Sequence, residues 1–164
     1  MHKQIHFMNI KLIAIGKTDQ KSLLQLIEEY QKQLNFYIKF ELEIIPDIKN
    51  VKNLSEAQQK EKEGELILSK ISSTDFLVLL DENGKQFSSV AFSEELQKKM
   101  NAGIKTLVYV IGGPYGFSDK VYATAKGKIS LSQMTFSHQM VRLFFIEQLY
   151  RGFTILRNEP YHHQ

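Results

Sequence analysis

Three groups of residues carry the types and spacings that could do chemistry. The first is Gly112-Gly113-Pro114-Tyr115-Gly116, which interrupts the apolar run Val108–Ile111 and leads into Ser118-Asp119, a helix start. A buried strand, a glycine loop and a helix N-terminus form a ligand corner, because glycine lets the backbone come close to a ligand and the first helical turn has free N–H groups. The second is Leu131-Ser132-Gln133-Met134-Thr135-Phe136, whose backbone amides and short side chains could ring a flat heterocycle. The third is His138 and Arg142, four residues apart and so on one helix face, an imidazole and a guanidinium beside that loop. Each also has a plain reading: a tight turn, an ordinary connection, and a polar stripe at a subunit edge.

Other motifs are weaker. Gly16-Lys17-Thr18 follows a strand, but a triphosphate loop needs a glycine where Lys11 stands. The loop at 112–116 does not have the dinucleotide spacing, and the next strand ends Ser130-Leu131-Ser132, without the acid that would hold a ribose. Asp81 and Glu82 follow a central strand, where catalytic acids occur, yet Asp81-Glu82-Asn83-Gly84 is equally a turn. His162-His163 has no third ligand near it, so no metal is expected, and Ser118 reads as a helix cap.

The elements that position these residues follow from periodicity. Strands are expected at Met8–Ile15, Tyr37–Ile45, Asp75–Leu80, Thr106–Ile111 and Lys128–Leu131. Helices are expected from an Asp19 cap to Leu34, from a Ser55 cap to Ile71, from a Ser93 cap to Met100, over Asp119–Lys126, and from a Ser137 cap to Arg151. Residues 81–85 read as a turn. Strands and helices alternate, which gives a single α/β domain over residues 8–164: a mainly parallel five-stranded sheet with helices on both faces. Residues 1–7 read as a loose N-terminal extension. The last helix is apolar nearly all round (Met140, Val141, Leu143, Phe144, Phe145, Ile146, Leu149), so it needs cover on two sides. One cover is the sheet and the other a second copy, which predicts a homodimer through this helix.

Composition bounds the class. The chain has 164 residues, 43% hydrophobic and 24% charged, and no cysteine, which excludes disulfides and thiolate metal sites and fits a reducing cytoplasm. No apolar run reaches the roughly 20 residues of a spanning helix, so no membrane partner is expected. Net charge is only +3, but Arg142, Arg151 and Arg157 fall within sixteen residues, joined by His138, His162 and His163. Arginine suits bidentate phosphate contact and base stacking, so this end is an anion-site candidate.

Taken together, Ile-Gly-Gly-Pro-Tyr-Gly, then Leu-Ser-Gln-Met-Thr-Phe, then His-Gln-Met-Val-Arg on an apolar helix and a Tyr-His tail resemble the RlmH family, small SPOUT-class RNA methyltransferases. The likeness runs from Met8 onward and takes in Ile-Ala-Ile-Gly-Lys, Lys-Glu-Gly-Glu and Leu-Asp-Glu-Asn-Gly-Lys. It implies an α/β knot, a C-terminal trefoil, and transfer of a methyl group from S-adenosylmethionine to N3 of a pseudouridine in large-subunit ribosomal RNA on the assembled ribosome. Carried over by position, the cofactor contacts are Leu80, Gly112, Leu131, Ser132, Gln133, Met134, Thr135 and Phe136. The catalytic pair is His138 and Arg142, and RNA is met by Arg142, Tyr161 and His162. The chain departs from the family pattern at Ser137, where a proline is common, and at His163-Gln164, where a basic residue follows Tyr-His. The second change removes a permanent charge from the tail.

A sulfonium methyl is already a strong electrophile, so the protein has to align the base nitrogen with it and deal with the N3 proton. Arg142 could stabilise the anion, or His138 could accept the proton; the residues alone do not choose. Two other functions stay open at this level: methylation of transfer RNA by the same fold, and a non-catalytic module that binds a nucleotide-like ligand.

Overall fold

The computed structural model describes residues 8–163, so the extension expected at 1–7 lies outside the described residues. Five strands form one sheet: β1 Asn9–Ile15, β2 Lys39–Ile45, β3 Phe76–Gln86, β4 Thr106–Ile111 and β5 Gly127–Ser130. Their order is β2-β1-β4-β3-β5, and every pairing is parallel. The helices are α1 Lys21–Asn35, α2 Glu56–Ser69, α3 Ser89–Asn101, α4 Asp119–Thr124 and α5 His138–Leu156.

The central strands read as continuous apolar runs because both faces are covered, and each run splits by period two. Leu12, Ala14, Val78, Leu107, Tyr109 and Ile111 face a core shared with α1, α3 and α5. Ile13, Leu77, Leu79, Val108 and Val110 face the other core, with Ile67 of α2 and Val121 of α4. α5 lies between α1 and α3 on the first face, burying Phe145, Ile146, Leu149 and Phe153.

Several boundaries differ from the sequence expectation, each for a local reason. α1 is capped by Gln20 without a side-chain bond, because Asp19 is drawn instead to Gln139, whose side-chain oxygen accepts the Asp19 N–H at 3.0 Å. Ser88, not Ser93, caps α3 by accepting the Ala91 N–H, and Ser93 is buried one turn in with its hydroxyl on the Val90 carbonyl. α5 runs past Arg151 to Leu156. The expected turn at 81–85 is a bulge inside β3: pairing with β5 breaks after Leu80 and resumes at Lys85. Gly84 fits there because a Cβ would come within 2.5–2.7 Å of the Ile129 backbone. The bulge pushes Asp81–Asn83 out to the rim of the site described next.

Candidate active site

At the C-terminal tips of β3, β4 and β5 lies a cavity of about 450 Å³, within the range of small-molecule sites. Leu80 ends the central part of β3, Gly112 and Gly113 end β4, and Leu131–Phe136 follow β5; all of them line it, together with His138 at the start of α5. The eight residues expected to hold a cofactor are thus on one wall system. Ser137 caps α5 by accepting the Met140 N–H, and the Ser132 hydroxyl accepts the Met134 N–H, so both ends of the 131–136 loop are pinned by short side chains. Gly112 allows a close wall, since a Cβ would stand 3.0 Å from the Phe117 ring.

Asp81, Glu82 and Asn83 form the rim, and among the described residues the lining has no lysine or arginine. Asp81 is already engaged. It accepts the Tyr122 hydroxyl and the Asn83 N–H, and the Tyr122 phenol is pushed up to about 12 by burial and by that carboxylate.

Arg142 is not on this wall. It is 1% exposed and reaches under the β1–α1 loop, donating to the Ile15 carbonyl at 2.8 Å and the Thr18 hydroxyl at 3.1 Å. Burial lowers its pKa, and Asp47 and Asp19 act against that; it stays a cation. His138 and Arg142 do share a second, smaller cavity of about 230 Å³ between the tips of β1 and β4. Its walls are Gly16, Lys17, Asp19, Asp47, Gln59, Glu63 and the Gly112–Pro114 segment, the last also a wall of the larger cavity. Sequence reasoning missed Glu63 and Asp47. The Lys62-Glu63-Gly64-Glu65 stretch reads as a solvated helix face, and nothing in it says that Glu63 is 3% exposed.

The tail is elsewhere again. Tyr161 donates to Glu147 at 2.8 Å and lies under the Arg151 guanidinium, and His162 Nδ1 is 3.1 Å from an Arg151 nitrogen. Glu147 is nine residues along α5 from His138, about 13 Å at the helical rise. Within one chain, Tyr161 and His162 are therefore separate from both cavities.

Among the described residues no three His, Asp or Glu side chains converge as metal ligands do, and no helix is long and apolar enough to cross a membrane. A family model described as a predicted SPOUT methyltransferase matches residues 8–162. The chain belongs to the SPOUT methyltransferase family. Within that family it is 83% identical over 157 residues to the ribosomal RNA large subunit methyltransferase H of Flavobacterium johnsoniae, covering 96% of this chain and all of that one. The proteins of the same name from Christiangramia forsetii and Porphyromonas gingivalis are 69% and 54% identical over the same span. Membership in this family implies a methyl donor, and the knotted C-terminal arrangement with it.

Proposed function

We propose that the protein transfers the methyl group of S-adenosylmethionine to N3 of a pseudouridine in large-subunit ribosomal RNA, acting on the assembled ribosome in the cytoplasm as a homodimer. The observation that carries this reading is the larger cavity. It sits at strand tips, is walled by glycine backbone and by a loop of uncharged polar and apolar side chains, and has acids on its rim in place of lysine or arginine. A phosphate-bearing cofactor is favoured by cations, which this lining lacks. A sulfonium nucleoside carries positive charge and no phosphate, and suits this wall. Leu80, Gly112 and Leu131–Phe136 are the residues that would hold it; His138 stands at the mouth. The donor supplies an electrophilic methyl group, and the chain supplies alignment and a proton acceptor.

The second copy is supported by α5. Met140 and Phe144 are 37% and 38% exposed, and Met134 and Phe136 stand beside them at 77% and 37%. Phe136 and Phe144 meet edge to face at 5.2 Å, an exposed apolar pair next to the site. Pairing through this patch would bring the Tyr161–His162 tail of one protomer toward the cavity of the other, where it would meet RNA.

Labelled S-adenosylmethionine incubated with assembled ribosomes, free ribosomal RNA and transfer RNA tests the reading. Label at a pseudouridine N3 in ribosomes is expected. Label in transfer RNA alone moves the substrate, and label in none leaves a binding module. Phe144→Asp is expected to convert a dimer to a monomer by light scattering; a wild-type monomer at micromolar concentration removes the interface.

A further inference from the structure

We propose that the groove outside β5, beside the larger cavity, is where the phosphate backbone of the RNA strand docks, with Lys126 and Lys128 as its phosphate contacts. The inference rests on the proposed methylation of RNA and adds the surface that holds the strand.

The arginine-bearing end does not supply that surface within one chain. Arg142 is 1% exposed, and its guanidinium donates to the Ile15 carbonyl and to Thr18. Arg151 is held by Glu147 at 2.7 Å. Arg157 lies past the end of α5, over the Tyr37 ring at 4.5 Å and about 28 Å from His138 at the helical rise. A strand that presents a base to the cavity needs cations nearer to it, because neutralising phosphates supplies a large share of nucleic-acid affinity.

Position is the first ground. β5 is the outermost strand of the sheet, paired on one side with β3. Beside it runs a groove of about 430 Å³ whose walls include Asp81, Asn83, Tyr122, Lys126 and Lys128. Asp81, Asn83 and Tyr122 are also the rim of the larger cavity. Groove and cavity thus lie on two sides of one rim. Tyr122 on that rim is 38% exposed, so a strand laid across it from solvent reaches both. Ile129 and Ser130, which follow Lys128 directly, line the cavity itself.

Charge is the second. Lys126 and Lys128 are exposed, and neither is in an ion pair among the described residues. A ring places each ammonium without neutralising it: Lys128 Nζ stands 5.6 Å from the centre of the Tyr122 ring, and Lys126 Nζ 5.3 Å from that of Phe76. Lys99 shares the Phe76 ring at 5.1 Å, but Glu95 takes its charge at 3.4 Å. The backbone beneath the pair is fixed as well. The Lys126 N–H donates to the Leu77 carbonyl at 2.8 Å, and Lys128 is in register with Leu79. Asp81 is the one carboxylate among the described lining residues, and its oxygens accept the Tyr122 hydroxyl and the Asn83 N–H. A polyanion therefore meets two preplaced cations. Lysines on an outer strand can also serve only to block edge-to-edge pairing, and the experiment separates the two roles.

The experiment compares full-length wild type with Lys126→Ala/Lys128→Ala, and with Lys32→Ala/Lys39→Ala as a pair of exposed lysines on α1 and on β2 at the opposite sheet edge. In the first pair the KM for ribosomes should rise at least about tenfold, while kcat and the Kd for S-adenosylhomocysteine stay within about twofold. The control pair should stay within about twofold throughout. Binding of fluorescein-labelled oligouridine, followed by anisotropy, gives a readout independent of methylation. The slope of log affinity against log salt should flatten by about 1.4 in the first pair, for two phosphate contacts on a single strand. Lys126→Arg/Lys128→Arg should restore both readouts. If the double alanine variant does not fold, Lys128→Gln alone should flatten the slope by about 0.7. An unchanged KM and slope overturn the proposal, whether or not the variant self-associates in gel filtration, and self-association with unchanged RNA binding assigns the lysines to edge protection. An equal loss in the control pair also overturns it, since any two lysines would then serve. Wild type that binds oligouridine with the expected slope difference but labels no ribosome removes the proposed reaction and keeps the surface.

Discussion

Two cavities flank the Gly112–Pro114 segment, and they are built on opposite plans. The larger is made mostly of chain segments that follow three strands, glycine backbone and uncharged side chains, has acids only on its rim, and is open at Met134 and Phe136. The smaller has a buried carboxylate and a buried guanidinium as its floor, brought in from α2 and α5. A site of the first kind is cheap to change for stability and sensitive for binding. One of the second kind is tied into the fold, so its residues carry function and stability together. The contrast is measurable with one substitution on each side. Arg142→Ala should lower unfolding free energy by about 3 kcal/mol in urea, since it leaves a void and strips the Ile15 carbonyl and Thr18 of their donor. Met134→Ala should cost under about 0.5 kcal/mol, because surface side chains contribute little, and yet weaken donor binding. Equal stability losses would erase the distinction.

The next largest effect tests how α2 is fitted to the glycine loop. Gly64 follows Glu63, and a Cβ there would meet the Ser118 hydroxyl at 2.4 Å and the Val121 side chain at 3.3 Å. Ser118 is buried and caps α4 by accepting the Val121 N–H. In an open helix, Gly→Ala would stabilise by about 1 kcal/mol. Here the crowding reverses the sign, and Gly64→Ala should destabilise by about 2 kcal/mol. A stabilised variant would mean that α2 is free to move away, and with it the Glu63 carboxylate.

The two plans also explain what the sequence could reveal. The five strands and five helices are legible because Val78, Val108 and their neighbours lie in unbroken apolar runs and because Ser55, Ser118 and Ser137 cap helices with their own side chains. The larger cavity is legible because its walls are contiguous motifs, 112–116 and 131–136. The smaller one is not, since residues 16–19, 47, 59–63 and 139–142 meet only after the sheet forms. Arg142 shares a helix face with His138 as the spacing requires, but the pull of the Ile15 carbonyl and Thr18 buries it under the β1–α1 loop. That depends on a contact 127 residues away in the chain. The β3 bulge was hidden for a related reason: Asp-Glu-Asn-Gly has turn chemistry, and only the approach of Ile129 turns it back into strand.

The subtlest way to sharpen the comparison is the pH dependence of stability. Glu63 keeps its proton in the folded protein to a higher pH than an ordinary carboxyl, because burial disfavours the charged form. In the unfolded chain it ionises near the reference value of about 4.3. Between that pH and its folded pKa, the unfolded state has released a proton that the folded state retains, so the free energy of unfolding falls as pH rises. Wild type should therefore lose stability relative to Glu63→Gln from about pH 4 upward, and the gap should stop growing once folded Glu63 has ionised. At acid pH the two should coincide in urea denaturation. A Glu63→Gln curve parallel to wild type at all pH values would mean that the carboxylate is solvated or paired when folded. The floor of the smaller cavity would then be no different in kind from the rim of the larger.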